Sequence, residues 1–368
     1  MAVDVQAPPD KEVDTPVPPR RRRNLLSRIW RIYLVRRLVY AVFVTWLVMT
    51  GTFFMVRAMP GDPVEVLAGR LSQQGINLEQ ARQQAKQSLA YDPDAPILQQ
   101  YWEYLTNLLR GDFGMTISQR GTTVVDHVME YLPWTLFSVG AGMVIAIVVG
   151  MGLGMVMAYR RNGWFDHLLS NIASTLSAIP NYLGAMALIL IGSAWLGLFD
   201  FWSMRGRLSE GVEPGFDAVF FGDALYHAIL PIVTYAFTIT GGWMLVMKAS
   251  TTEVLSEDYV TVANARGLKG RRVGLAYVGR NSVLPLVPQV ALALGTLVGG
   301  AIIVEQILSY PGVGQLFINA ITKRDYPVIQ AVVLILTVAV VFSNLVVDML
   351  NSWLDPRIRT GDAEEAGA

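Results

Sequence analysis

The chain is 368 residues long, 53% apolar and 16% charged, with 29 basic and 29 acidic residues and no cysteine. Soluble domains carry about 25% charged residues, so the missing charge excludes an ordinary soluble multi-domain protein. Zero net charge excludes a bulk attraction to nucleic acid or another polyion, and the lack of cysteine excludes disulfide and thiol chemistry.

The charge deficit is local. Six windows, residues 38–56, 131–159, 168–199, 224–247, 281–304 and 326–347, contain no Asp, Glu, Lys or Arg, and the rest is charged like soluble sequence. Each window is 19 residues or longer, and roughly 20 apolar residues in a helix cross a hydrocarbon core of about 30 Å. Buried helices of a soluble protein would carry charge along an exposed face. A membrane β-barrel would show alternating segments of about ten residues. Neither pattern is present. The predicted fold class is all-α membrane protein with six transmembrane helices in a lipid bilayer.

Residues 1–30 read as a disordered basic tail. The first 37 residues hold nine Lys/Arg, four of them consecutive at 20–23, which places this end in the cytoplasm. The first transmembrane helix is predicted over 31–56. Its 19-residue apolar run exceeds the h-region of a signal peptide, about 7–15 residues, so a retained span is expected. With six spans, 19 of the basic residues fall inside and 10 outside. Both termini, including the tail 356–368, are then cytoplasmic.

Residues 57–130 form an extracytoplasmic segment. It opens on a turn, Pro60-Gly61-Asp62-Pro63. Asn77 with Gln80 marks a helix start, and a second helix should run from near Asp94 to Arg110. Ile97, Tyr101, Leu105 and Leu108 line one face of that helix at helical spacing, a stripe expected to pack on the membrane part.

Residues 131–355 form the membrane core. Ser138, Gly142, Ala146, Gly150, Gly154 and Ala158 repeat at a spacing of four, as do Ala291, Gly295 and Gly299. Such stripes predict helix–helix seams, because small residues let membrane helices approach closely. Pro180, Pro231, Pro285 and Pro288 are candidate bends, some of them explained equally well as span ends. Ionisable groups at the membrane carry a functional prior. His227 and Glu305 are the two best placed; either could sit at the interface, and for His227 that is the simpler reading. The histidines are scattered, and no spacing suggests a metal site.

The inner connection, residues 249–282, is the most informative stretch. Glu253, Glu257 and Asp258 precede a run of apolar and small residues, after which Arg266, Gly267, Leu268, Lys269, Gly270, Arg271 and Arg272 follow. This reads as helix, glycine turn and helix, with Gly267 past the helix end. Physically it is either a docking surface for another protein or simply a basic cytoplasmic loop.

The residues Asp258, Tyr259, Ala263, Ala265, Arg266, Gly267, Leu268, Arg271 and Arg272, followed by Arg280-Asn281 and Leu284-Pro285, resemble the coupling motif of binding-protein-dependent ABC importer permeases. The form is similar to that of peptide/nickel-type permeases. The resemblance continues in Pro60-Gly61-Asp62-Pro63, Gly111-Asp112-Phe113-Gly114, Ser177-Ala178-Ile179-Pro180, Glu305 with Tyr310-Pro311-Gly312-Val313-Gly314, Arg324-Asp325-Tyr326-Pro327 and Asp355-Pro356-Arg357. It covers about residues 30–360. Thr261 and Val262 stand where the wider superfamily has Glu and Ala, and Pro285 lies 18 residues beyond Gly267, a longer interval than usual.

The resemblance implies a six-helix, type I importer permease that pairs with a second, related permease. Two ATPase subunits would dock on the coupling loops, and an extracytoplasmic solute-binding protein would deliver substrate. Transport would then follow alternating access in a bacterial or archaeal cytoplasmic membrane. The substrates implied are di- or oligopeptides, with oligosaccharides or nickel complexes as alternatives. It also implies gate or pathway roles for Pro180, Glu305, Pro311, Gly312 and Gly314. The chain itself contains no Gly-Lys pair, hence no phosphate-cradling loop of the Gly-Lys-Ser/Thr kind. ATP and magnesium belong to partner chains, with no cofactor, catalytic residue or nucleic-acid partner expected here. An intramembrane enzyme or a channel is the remote alternative.

Overall fold

The computed structural model describes residues 33–58, 63–89, 95–119, 121–295, 299 and 302–354. Internal contacts divide the chain after Tyr40, and the architecture below is that of the unit beginning at Ala41. The tails 1–30 and 356–368, and residues 60–62 of the expected turn, lie outside the described residues.

Among the described residues every element is helical, apart from one isolated antiparallel bridge between Met115 and Thr123. Helix α1 (Tyr33–Ala58) is followed by three short helices, α2 (Pro63–Gln73), α3 (Leu78–Leu89) and α4 (Ile97–Leu109). Next come α5 (Val124–Tyr159), α6 (Trp164–Ala178), α7 (Asn181–Ala187, continued by a π-helical stretch Leu188–Trp195) and α8 (Ala218–Leu255). Helix α9 (Asp258–Ala265) precedes α10 (Gly270–Arg272), a π-helical stretch Val273–Gly279, α11 (Arg280–Val283), a 3-10 turn Leu284–Leu286 and α12 (Val287–Gly295). Helices α13 (Ile302–Leu308), α14 (Val313–Lys323) and α15 (Tyr326–Leu354) are the last among the described residues.

Four described helices are long and apolar enough to cross a membrane: α5, α8, Val35–Ala58 within α1 and Tyr326–Leu350 within α15. With 36 and 38 residues, α5 and α8 are each about 55 Å long at ~1.5 Å per residue. That exceeds a hydrocarbon core of about 30 Å, so their ends extend into polar surroundings. Both first turns are capped by side chains. Thr123 Oγ1 accepts the Asp126 N–H at 3.1 Å, and Asp217 Oδ1 accepts the Phe220 N–H at 2.7 Å.

Two of the six apolar windows are not straight helices. Window 168–199 breaks between α6 and α7, whose axes differ by 102°. Proline lacks an N–H and drives the residue before it out of the α region. Accordingly Ile179 sits at φ −85°, ψ 115° and Pro180 at φ −57°, ψ 140°. Window 281–304 is interrupted by Pro285 in the 3-10 turn and ends its described helix at Gly295. Pro231, in contrast, sits inside α8 without ending it.

The small-residue stripe of α5 packs against α8. A Cβ built at Gly142 would lie 2.7 Å from Tyr235 Cβ, and one at Gly150 would lie 2.6 Å from Trp243 Cβ. One at Gly154 would collide with the Met244 carbonyl. Ser138, Ala146 and Ala158 of the same stripe are buried. The paired residue numbers rise together along both helices, so α5 and α8 run parallel. Gly295 packs on Ser343 of α15, but Gly299 is exposed with open space around it. Among the described residues, the contact of this stripe is seen at Gly295.

In the outer segment, Asn77 Oδ1 caps α3 by accepting the Glu79 N–H at 3.0 Å. Helix α4 packs on α1 through Tyr101, whose ring centroid lies 5.2 Å from that of Phe53 and whose hydroxyl bonds Thr50 Oγ1 at 2.7 Å. Ile97, placed on the same stripe by the sequence, is 50% exposed instead, because it begins the helix beyond the end of that contact.

Gly150→Leu should lower the thermal unfolding midpoint of the purified protein, since overpacking a tight contact costs about 1–3 kcal/mol. Gly152→Ala, where a Cβ meets nothing within 4 Å, should leave the midpoint unchanged or raise it slightly.

Candidate functional site

Helix α9 has two unlike faces. Val260 and Ala263 are buried in a small apolar cluster with Val273 and Val278, flanked by Val254, Leu255, Leu268 and Tyr277. Asp258, Tyr259, Ala265, Arg266, Gly267, Arg271 and Arg272 are exposed, and Leu268 is half-buried. Asp258 lies in the first turn, where a carboxylate favours the helix dipole.

The helix ends in a Schellman turn. Gly267 N–H donates to the Asn264 carbonyl at 2.9 Å, and Leu268 N–H donates to the Ala263 carbonyl at 3.3 Å. That turn requires a left-handed residue at its centre, and Gly267 has φ +70°. Leu268 then folds back onto the same apolar cluster as Ala263. The chain thus leaves α9 along one fixed path into α10. Nearby, Ser250 Oγ near the end of α8 donates to the Ser282 carbonyl at 2.8 Å. Lys248 pairs with the buried Asp166 of α6 at 2.6 Å and donates to Ser170 at 2.9 Å. The loop is fastened to the end of α8 and to the segment leading to α12, and α8 is fastened in turn to α6.

A second constellation surrounds Glu305, which is fully buried. Its Oε2 accepts the Gly314 N–H at 2.7 Å and the Gln315 N–H at 3.3 Å. Its Oε1 accepts the Thr135 hydroxyl at 2.6 Å, and Thr135 Oγ1 itself accepts the Val313 N–H at 2.7 Å. The first N–H groups of a helix have no partner within it. Here a carboxylate from α13 and a hydroxyl from α5 satisfy the first three of α14. A negative charge at this end also opposes the positive pole of the helix dipole.

Glycine is required at two positions of the loop for reasons of space. A Cβ at Gly312 would collide with the Glu305 carboxylate, and one at Gly314 would collide with the Ile302 backbone. Tyr310, between them and Glu305, is buried with Val304 and Leu308 against Tyr235, Val139 and Met143 of the α5–α8 seam. The knot therefore ties α13, α14 and the seam into one body.

Of the sequence-derived residues, Glu305, Gly312 and Gly314 come together in this knot, with Pro311 in the loop between them. Pro180 lies apart, at the α6–α7 bend. The α9 residues form a separate group beside the C-terminal part of α8. His227 is buried, within 3.2 Å of Ser209 Oγ and 3.8 Å of Asp223, so it tethers the preceding loop. The sequence did not single out Thr135, Lys248 or Asp166. Thr135 is a lone hydroxyl in an apolar window, and no pattern in the window marks it. Among the described residues no group of three or more His, Asp or Glu is placed to hold a metal ion.

Among the described residues the protein is helical, with several helices of membrane-crossing length and an exposed helix–turn loop. Residues 150–360 match the binding-protein-dependent transport system inner membrane component family, and residues 30–137 match the N-terminal region of such membrane components. The chain is 32% identical over 327 residues to the glutathione transport system permease protein GsiC of Escherichia coli (strain K12), covering 89% of this chain and 98% of that protein. The same protein of Pectobacterium atrosepticum and of Shigella flexneri serotype 5b gives the same identity and coverage.

The chain belongs to the binding-protein-dependent transport system inner membrane component family. It is a multi-pass permease subunit of an ABC importer, as the resemblance to peptide/nickel-type permeases implies, and not an enzyme.

Thr135→Val keeps the shape but leaves the Val313 N–H and one Glu305 oxygen unpaired, and an unsatisfied buried group costs about 1–3 kcal/mol. A lower unfolding midpoint and lower uptake are expected in reconstituted transporter, with Thr135→Ser restoring both.

Proposed function

We propose that this chain is a six-pass permease that pairs with a second permease. Two cytoplasmic ATPases would act on it through the loop around α9, and an extracytoplasmic binding protein would supply small peptides. Both termini and α9 face the cytoplasm on this reading. The observation that carries it is the α9 loop: an exposed helix held by its Schellman turn and fastened to α8 and to the α10–α12 segment. A rigid projection of this kind converts a push from outside into motion of the membrane helices joined to it.

The parallel α5–α8 seam supports six passes. Because both helices run the same way, residues 160–217 must carry the chain back along the length of α5, so the bent α6–α7 pair counts as one pass. Residues 282–305 make another return, since Ser282 sits beside Ser250 near the end of α8 and Glu305 beside Thr135 near the start of α5. Val56 of α1 and Tyr326 of α15 share a cluster with Val124 and Val128 of α5, which supports putting the end of α1 and the start of α15 at the same end as the start of α5. Passes by α1, α5, α8 and α15 with two returns make six.

A peptide-type substrate rests on the GsiC relatives, which are named for glutathione transport. Alternating access would be gated where the Glu305 knot closes the outer end and where Pro180 bends the third pass. Oligosaccharides and nickel complexes remain the competing substrate classes of the branch.

Gly267→Val forces a β-branched residue into the left-handed region, a strain of about 1–2 kcal/mol, and re-aims α9. In proteoliposomes containing the full transporter, ATP hydrolysis should persist while peptide uptake falls; normal uptake at a normal hydrolysis rate would refute the coupling role. The chain has no native cysteine, so single cysteines report topology directly. Arg266→Cys should react with an impermeant maleimide only from the cytoplasmic side, and Glu213→Cys only from the outside.

A further inference from the structure

A polar cleft of about 220 Å³ opens beside the start of α5, separate from both the Glu305 knot and the α9 loop. His127 and Tyr131 of α5, Asn319 and Lys323 of α14, and Ser118 and Gln119 of the preceding loop supply its polar walls. None of the lining side chains is acidic.

The walls are built rather than incidental. His127 is 7% exposed, and its Nδ1 is buried without a hydrogen-bond partner. The carboxylate oxygen of Glu130 stands 3.9 Å from that nitrogen, beyond hydrogen-bond reach, and Glu130 is held by Arg207 at 2.7 Å. Burying a ring nitrogen without a partner is unfavourable, so packing alone holds the imidazole in the cleft wall. The Lys323 ammonium makes no hydrogen bond or ion pair among the described residues, while its carbonyl is fixed by Arg70 at 2.9 Å.

The chain then turns through Arg324, at φ +54°, and buries Asp325 completely behind the wall. Asp325 Oδ2 accepts the Thr116 hydroxyl and the Ser118 N–H, the latter at 2.8 Å. That fixes the loop side of the cleft, and the Oδ1 atom stays buried without a partner.

We propose that this cleft binds one carboxylate group carried by a small solute, with Lys323 as counter-ion and His127 and Asn319 as hydrogen-bond donors. A cation beside convergent donors is the arrangement that recognises carboxylate. The volume lies below the roughly 300 Å³ at which pockets for drug-sized ligands begin, so it takes up about one carboxylate-bearing amino-acid unit of the solute. The site goes beyond the importer reading and does not depend on it.

The test uses the full-length chain in lipid nanodiscs without ATPases or binding protein, so a failure here leaves the importer reading untouched. Glycylglycine and its C-terminal amide are compared by saturation-transfer NMR titration. The dipeptide should bind saturably and the amide about tenfold more weakly or worse. Lys323→Gln should weaken dipeptide binding to a similar degree, and Lys323→Arg should retain it. His127→Phe should weaken it as well, with an unchanged unfolding midpoint showing that the fold is intact. Equal binding of the two probes, no saturable binding at millimolar concentration, or full binding by Lys323→Gln would overturn the proposal.

Discussion

The α5–α8 seam is the contact on which the architecture depends. Lipid tails are as apolar as leucine, so membrane helices gain nothing from burying one another except close packing and hydrogen bonds. Gly142, Gly150 and Gly154 bring the α5 backbone directly onto that of α8. On the other flank of α8, Gly241 lies against the Ala173 carbonyl, 2.8 Å from Ser177 Oγ for a built Cβ. Helix α8 is thus held on two sides through missing side chains. Since its first partner runs parallel to it, every other segment must return the chain along the seam or continue in its direction.

Polar groups near the seam follow the rule that backbone in a membrane finds its partners inside the protein. The start of α14 would leave N–H groups unpaired in an apolar setting. Glu305 and Thr135 take them. The price of burying a carboxylate is offset by three donated hydrogen bonds and a helix dipole. A hydrophobic substitute for Glu305 would therefore expose a cost now hidden: unpaired backbone at the head of α14.

How much of this was legible follows from what each feature needs. The α5 stripe is readable because close approach on one helix demands small residues four apart. Its partner surface is not, since Tyr235, Trp243 and Met247 of α8 contribute Cβ atoms and backbone rather than any pattern of size. The prolines at 180 and 285 are visible, but whether one bends a span by 102° or passes unnoticed, as at Pro231, depends on packing around it. Glu305 stood out as a charge at a window edge, whereas Thr135 is one hydroxyl in an apolar run. The α9 helix and its Gly267 stop were readable as local chemistry, because a Schellman turn is satisfied within a few residues. Ile97 fell outside its expected contact because it begins α4 beyond the reach of α1, which spacing in the sequence does not reveal.

The stiffness of the α9 connection has a further consequence on the importer reading. A fastened lever has no preferred direction, and linkage between two binding sites is reciprocal by thermodynamic necessity. Whatever factor the nucleotide state of the inner partners imposes on affinity at the outer face, occupancy of the outer face imposes the same factor on nucleotide binding. The loop through which this chain would receive work is then also the route by which an occupied binding protein outside would announce itself to the ATPases within.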